Sequence, residues 1–199
     1  MDPPHEVHVA AICGSLRDDS RTRTALRVAL DAAEAAGAET TLVDLREYDL
    51  PPIDADDGDA GDAPALRQAV AEADAVLLGT PNYHGSFSAP LKNALDYCGR
   101  DEFGGTTVGL LEVAGGSFPT RPLEHLRTVC RTLNAWTLPH EVGMPNSAST
   151  VRDGEIVDDR VAARVAELGE TAVRYAGVDR YPELVAGADE GALEPTVGD

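Results

Sequence analysis

Five short apolar runs alternate with helix-like segments along this 199-residue chain, and that alternation leaves few folds open. Residues 7–13, 40–45, 75–79, 106–113 and 135–140 have the length and near-continuous apolar character of strands buried on both faces. Helical patterns fill residues 22–36, 64–73, 89–98 and 120–133, and an amphipathic stretch at 158–176 closes the series. Strands that return in one direction through helices must form a parallel sheet covered on both faces. The prediction is therefore an α/β three-layer sandwich around a five-stranded parallel sheet. Order 2-1-3-4-5 is one of the two common arrangements, and in it the loops after strands 1 and 3 diverge to open a ligand crevice. The length suits one well-buried domain, predicted at residues 1–180, with an acidic, glycine-bearing tail at 181–199. Residues 49–63 and 144–155 are expected to be irregular loops.

The loop after the first strand is chemically the most distinctive. Gly14-Ser15-Leu16-Arg17-Asp18-Asp19-Ser20-Arg21-Thr22 follows the strand and runs straight into a helix. Free amides and hydroxyls at the positive end of a helix dipole make an anion site. Between Gly14 and Arg27 stand four arginines against Asp18 and Asp19, a local excess of two positive charges in an otherwise negative chain. The pattern fits one phosphate monoester. It lacks the second glycine of G-x-G-x-x-G, and the only lysine, Lys92, lies elsewhere, so dinucleotide and nucleoside-triphosphate loops are disfavoured.

Charge narrows the partners. The formal net charge is −19, and 15 of the 16 basic residues are arginine. Such a surface excludes nucleic acid and anionic membranes as natural partners. No apolar run approaches the ~20 residues that span a bilayer, and residues 1–6 lack the basic and apolar regions of a secretion signal, so a cytoplasmic location is expected. Self-repulsion on this scale is relieved by salt, since the Debye length falls to ~3 Å at about 1 M, and we expect a halophilic protein. Its melting temperature should rise between dilute buffer and molar salt; an unchanged or lower value would refute the idea. Cys13, Cys98 and Cys130 are widely spaced and odd in number, as reduced thiols are, with Cys13 and Cys130 in apolar core patterns.

Two further stretches complete a recognisable set. Pro81-Asn82-Tyr83-His84-Gly85-Ser86 follows the third strand, and Leu91-Lys92-Asn93-Ala94-Leu95-Asp96 lies in the helix after it. Together with Gly14-Ser15-Leu16-Arg17 and Ser20, they resemble the NADPH-dependent FMN reductase family of flavodoxin-like proteins, over residues 7–140. The resemblance implies that Ser15, Arg17, Ser20, Arg21 and Thr22 hold the FMN phosphate and that Pro81, Asn82, Tyr83, His84, Gly85 and Ser86 hold the isoalloxazine ring. Gly115, Gly116 and Ser117 would line the flavin edge, or form only a tight turn needing positive φ. The family pattern reads P-E-Y-N-G-S, so Asn82 and His84 stand where it has glutamate and asparagine. Tyr83 is suited to cover a planar ring. His84 is read as a solvent-facing loop residue, with proton transfer as the alternative. Lys92 and Asp96 form a helix-surface pair or a contact between subunits.

The function so implied is an FMN-dependent oxidoreductase. Hydride passes from NADPH or NADH to the flavin and on to a small acceptor: free flavin, a quinone, an azo or nitro compound, or a metal oxyanion. No side-chain nucleophile or base is needed, because the cofactor carries the chemistry. The family implies a homodimer or homotetramer. Two rivals stay open, a non-enzymatic flavodoxin-like electron carrier and a flavin-free binding protein on the same fold.

Overall fold

The computed structural model describes residues 6–117, 119 and 121–178. The tail expected at 181–199 lies outside the described residues. Strands β1 (His8–Cys13), β2 (Glu39–Asp44), β3 (Ala75–Pro81), β4 (Thr107–Val113) and β5 (Trp136–Met144) form one parallel sheet in the order 2-1-3-4-5. The predicted sandwich and strand order are those observed.

Helix α1 (Arg21–Ala35) starts where the Ser20 hydroxyl accepts the Arg23 amide at 3.1 Å. It ends at Gly37, whose φ of +94° suits the residue that follows a helix. Ala25, Leu26, Ala29, Leu30 and Ala33 share its buried stripe. That stripe packs with α7 (Asp159–Arg174) on one face of the sheet. Gly169 lets the two helices cross closely, because a Cβ there would stand 1.9 Å from the Ala29 carbonyl oxygen. The opposite face is covered by α2 (Ala63–Ala71), α3 (Ala89–Tyr97), the single turn α4 (Arg100–Phe103) and α5 (Arg121–Thr132).

Two local expectations change. Residues 144–155 are not an irregular loop. Asn146 leads into the short α6 (Ser147–Thr150), and β6 (Val151–Arg152) pairs with β7 (Glu155–Ile156) as an antiparallel hairpin. Asp153 and Gly154 turn that hairpin with φ of 50° and 79°, the geometry that Asp-Gly pairs favour. The fifth strand also continues past His140 to Met144, pairing as far as Val113↔Met144 and so carrying the chain to the carboxyl edge of the sheet. All three cysteines are free and buried. Burial pushes the Cys13 thiol above its usual range, Cys98 up to about 12 and Cys130 up to about 11. They are core residues, protonated at neutral pH.

Candidate functional site

The loops after β1, β3 and β4 meet at the carboxyl edge of the sheet, held there by backbone and side-chain bonds. The Gly14 amide donates to the Gly79 carbonyl at 2.8 Å. Ser88, the N-cap of α3, donates its hydroxyl to the Gly14 carbonyl at 2.6 Å, while its own amide donates to the Thr80 hydroxyl at 2.9 Å. A Cβ on Gly14 would sit 2.7 Å from the Leu91 Cβ, so only glycine permits the first loop to lie this close to α3.

The first loop is built to receive an anion. The amides of Arg21 and Thr22 open α1 with no carbonyl partner among the described residues, as the first turn of a helix leaves them. Ser15 and Thr22 are 3% and 2% exposed, and their hydroxyls have no hydrogen-bond partner among the described residues. Ser20 spends its hydroxyl on the helix cap. Three of the four arginines differ in role. Arg23 is structural: it donates to Asp44 Oδ2 at 3.2 Å and to the carbonyls of Arg17 and Asp18, so it shapes the loop from within. Arg21 reaches the Ser147 hydroxyl at 3.4 Å. The side chain of Arg17 is exposed and forms no hydrogen bond or ion pair among the described residues.

Asp44, at the end of β2, anchors this arrangement. It is buried, and Arg46 Nη2 meets its Oδ2 at 2.6 Å while Arg23 meets the same oxygen. Burial alone would raise this carboxyl. The hydrogen bonds from Arg46 and the charges of both arginines outweigh that, leaving it below the usual carboxylate range.

The loop after β3 is a tight hairpin. Tyr83 and Ser86 exchange backbone hydrogen bonds of 3.0 and 3.1 Å around His84 and Gly85, whose φ values are 54° and 80°. Tyr83 is 49% exposed and His84 faces solvent. Ser86 Oγ lies 3.2 Å from His125 Nδ1 of α5. Asn82 braces the turn: its Oδ1 accepts the Gly85 amide at 2.9 Å, and its Nδ2 donates to Glu112 Oε1 at 2.7 Å. Glu112 lies in β4 beside Thr80, fully buried, and its second oxygen has no partner among the described residues. Burial raises this carboxyl to about 6, helped by Glu141 and opposed by the bond from Asn82.

The third loop is tied to the turn after β5. The Asn146 and Ser147 amides donate to the carbonyls of Gly116 and Ala114, each at 2.9 Å, and Ser117 Oγ is 3.4 Å from Asn146 Oδ1. Neither Gly115 nor Gly116 has positive φ, and a Cβ on either would meet nothing within 4 Å. Among the described residues nothing requires glycine at these positions, and the tight turn with positive φ is not what is observed.

Every site residue expected from sequence therefore lies on one of three converging loops, in the first turn of α1 (Arg21, Thr22) or at the end of β3 (Pro81). Asp44, Ser147 and Glu112 are the supporting residues that sequence reasoning missed, while Arg23 and Ser88, expected as a loop cation and a helix N-cap, also tie the loops together. Glu112 did carry a signal, as the one charged residue inside a strand buried along its whole length. A groove of about 530 Å3 adjoins the first loop, running from Leu16 past Tyr48 and Leu50 to Pro90. A second cavity of about 380 Å3, near Trp136 and Tyr175, lies at the amino ends of β4 and β5, away from these loops.

A strand order of 2-1-3-4-5 with an anion-ready turn after β1 defines a flavodoxin-like fold. Known structures agree. A flavoenzyme NAD(P)H:acceptor oxidoreductase from Paracoccus denitrificans matches with a TM-score of 0.73 and 23% identity, over 85% of this chain and 97% of the other. Megasphaera elsdenii flavodoxin matches with a TM-score of 0.59 and 18% identity, over 83% and 98%. Residues 7–149 match the model of the NADPH-dependent FMN reductase family. An FMN-dependent NADPH-azoreductase of Staphylococcus aureus is 34% identical over 146 residues, 68% of this chain and 76% of that protein. The chain belongs to the NADPH-dependent FMN reductase family and is an FMN- and NAD(P)H-dependent oxidoreductase. Family membership decides for an enzyme over the carrier and flavin-free readings.

Proposed function

We propose that the three loops are the FMN site and that the enzyme passes reducing equivalents to a small aromatic acceptor of the quinone or azo type. The observation that carries this is the stitching of an anion-ready loop to a hairpin with an exposed tyrosine through Ser88 and Gly14. Ser15, Thr22, the amides of Arg21 and Thr22, and the guanidinium groups of Arg17 and Arg21 hold the phosphate. Pro81, Asn82, Tyr83, His84, Gly85 and Ser86 position the ring, largely through backbone. Gly115, Gly116 and Ser117 line its edge, where the open space beside the glycines accommodates a close approach. When bound, FMN supplies the redox chemistry, accepting hydride from a nicotinamide and releasing electrons to the acceptor. The protein's part is to orient the reactants and shield them from water.

An aromatic acceptor is supported by the apolar side of the groove beside Leu16, formed with Tyr48, Leu50 and Pro90 opposite Lys92, Asn93 and Asp96, and by the azoreductase among the relatives. Among the described residues no helix is long and apolar enough to cross a membrane, and we propose a cytoplasmic homodimer or homotetramer. Protein purified in molar salt and supplied with FMN should be yellow, bleach without oxygen on addition of NADPH or NADH, and recover its colour with a quinone or azo dye. A colourless protein that takes up no added FMN would refute the site. Bleaching without recovery by any aromatic acceptor would refute the substrate class.

A further inference from the structure

Asn82 departs from the family pattern, and the structure gives it a task. Its amide has one consistent orientation, because Nδ2 faces a carboxyl oxygen and Oδ1 faces an N–H donor. Its own backbone amide is fixed to the Val113 carbonyl at 2.9 Å. A continuous path therefore runs from the buried carboxyl of Glu112, through the Asn82 side chain, to the amide of Gly85 at the tip of the hairpin.

We propose that Glu112 is a positioning residue for the flavin, holding the Gly85 turn through Asn82, and that its buried carboxyl makes this hold respond to pH. The inference rests on the flavin-site reading above. An ionised Glu112 accepts only, so it can hold Asn82 in one orientation alone and does so with a charge-assisted bond. A protonated Glu112 has an O–H to donate. With the proton on Oε2, Oε1 accepts from Asn82 only as a neutral carbonyl, so the charge-assisted bond that holds the amide toward Gly85 weakens to an ordinary one. The unpartnered Oε2 favours the uptake of that proton, since a buried carboxylate oxygen without a donor is costly.

The charged groups around this path are few. From β5 comes Glu141, itself paired with Arg127 of α5 at 2.7 Å. From α5 come His125, bonded to Ser86, and Arg121, whose Cδ lies 3.6 Å from where a Gly85 Cβ would be. His84 sits on the hairpin itself. Because His84 and His125 both stand at the hairpin, a pH profile is informative only beside a variant that keeps them.

Riboflavin is the appropriate probe, because the FMN phosphate has its own pKa near 6. Its binding to wild type, Glu112→Gln and Asn82→Ala is measured by flavin fluorescence between pH 5 and 8. Wild-type affinity should fall about three- to tenfold from pH 8 to pH 5, the worth of one ordinary hydrogen bond. Glu112→Gln, nearly isosteric and unable to titrate, should lose most of that slope. Asn82→Ala should bind weakly throughout, with the same loss of slope. Hydrogen exchange of the Gly85 amide in flavin-free protein gives a second readout, expected to be faster in Asn82→Ala than in wild type at pH 8. Parallel pH profiles in wild type and Glu112→Gln, with both binding flavin, would overturn the proposal. Unchanged Gly85 exchange in Asn82→Ala would overturn it as well. If wild type binds neither riboflavin nor FMN at pH 8, the flavin-site reading falls first; faster Gly85 exchange would then still support Glu112 and Asn82 as the brace of the hairpin.

Discussion

Replacing Asp44 by alanine should cost about 3 kcal/mol of stability, at the low end of the range for breaking a buried ion pair by removing one partner. The cost arises because Arg23 and Arg46 both converge on this carboxylate and would keep their charge without it. Their side chains are 13% and 26% exposed, so water reaches them only in part and cannot replace the lost partner in full. Arg46→Ala should cost far less, because Arg23 would still compensate Asp44. The pH dependence has a defined sign. The folded-state pKa of Asp44 lies below its ordinary value, so its contribution is present above about pH 4 and fades as the pH falls below that value. Denaturant melts of wild type and Asp44→Ala should thus differ most at neutral pH and converge toward pH 2. A constant difference across that range would mean that the pair does not carry the effect. Asp44→Ala also frees Arg23, which holds the carbonyls of Arg17 and Asp18, so the first loop should loosen together with the fold.

This dependence shows where sequence reasoning stops. The alternation of apolar runs was enough for a parallel sheet covered on both faces, whereas the order 2-1-3-4-5 was one of two common arrangements, preferred because it brings the two distinctive loops to one crevice. The loops were legible for a related reason: Gly14-Ser15 before a helix and Pro81 to Ser86 after a strand are local patterns with local chemistry. Asp44 and Glu112 were not legible as supports. A lone acid at the end of one strand, or in the middle of another, acquires a meaning only when the fold brings Arg23 or Asn82 to it. The hairpin at β6 and β7 is a different case. Its Asp153-Gly154 pair is a known turn signal, but the strands on either side are two residues long and offer no alternation to detect. Ser147, which meets Arg21, was hidden for the same reason. The arginines of the first loop and the start of α1 look equivalent in the sequence, and only the partners seen in the structure separate Arg23 from Arg17.

That separation sharpens the second prediction. Arg17→Ala should weaken FMN binding by about 1.5–3 kcal/mol, the typical worth of a hydrogen bond to a charged group, and should leave thermal stability almost unchanged. The side chain of Arg17 has no partner among the described residues, so its removal disturbs no protein contact. On the proposed placement it meets the phosphate, and riboflavin, which has none, should bind to Arg17→Ala as it does to wild type. Arg23→Ala provides the contrast: it should lower stability and weaken both flavins alike, because the residue acts on the loop through Asp44 and two carbonyls. Lower pH adds a further check. The phosphate loses its second charge below about pH 6, so the FMN penalty in Arg17→Ala should shrink between pH 8 and pH 5 while the riboflavin affinity ratio stays flat. Equal losses for FMN and riboflavin would remove Arg17 from the phosphate site, leaving Ser15, Thr22 and the amides of α1 to hold the anion with Arg21.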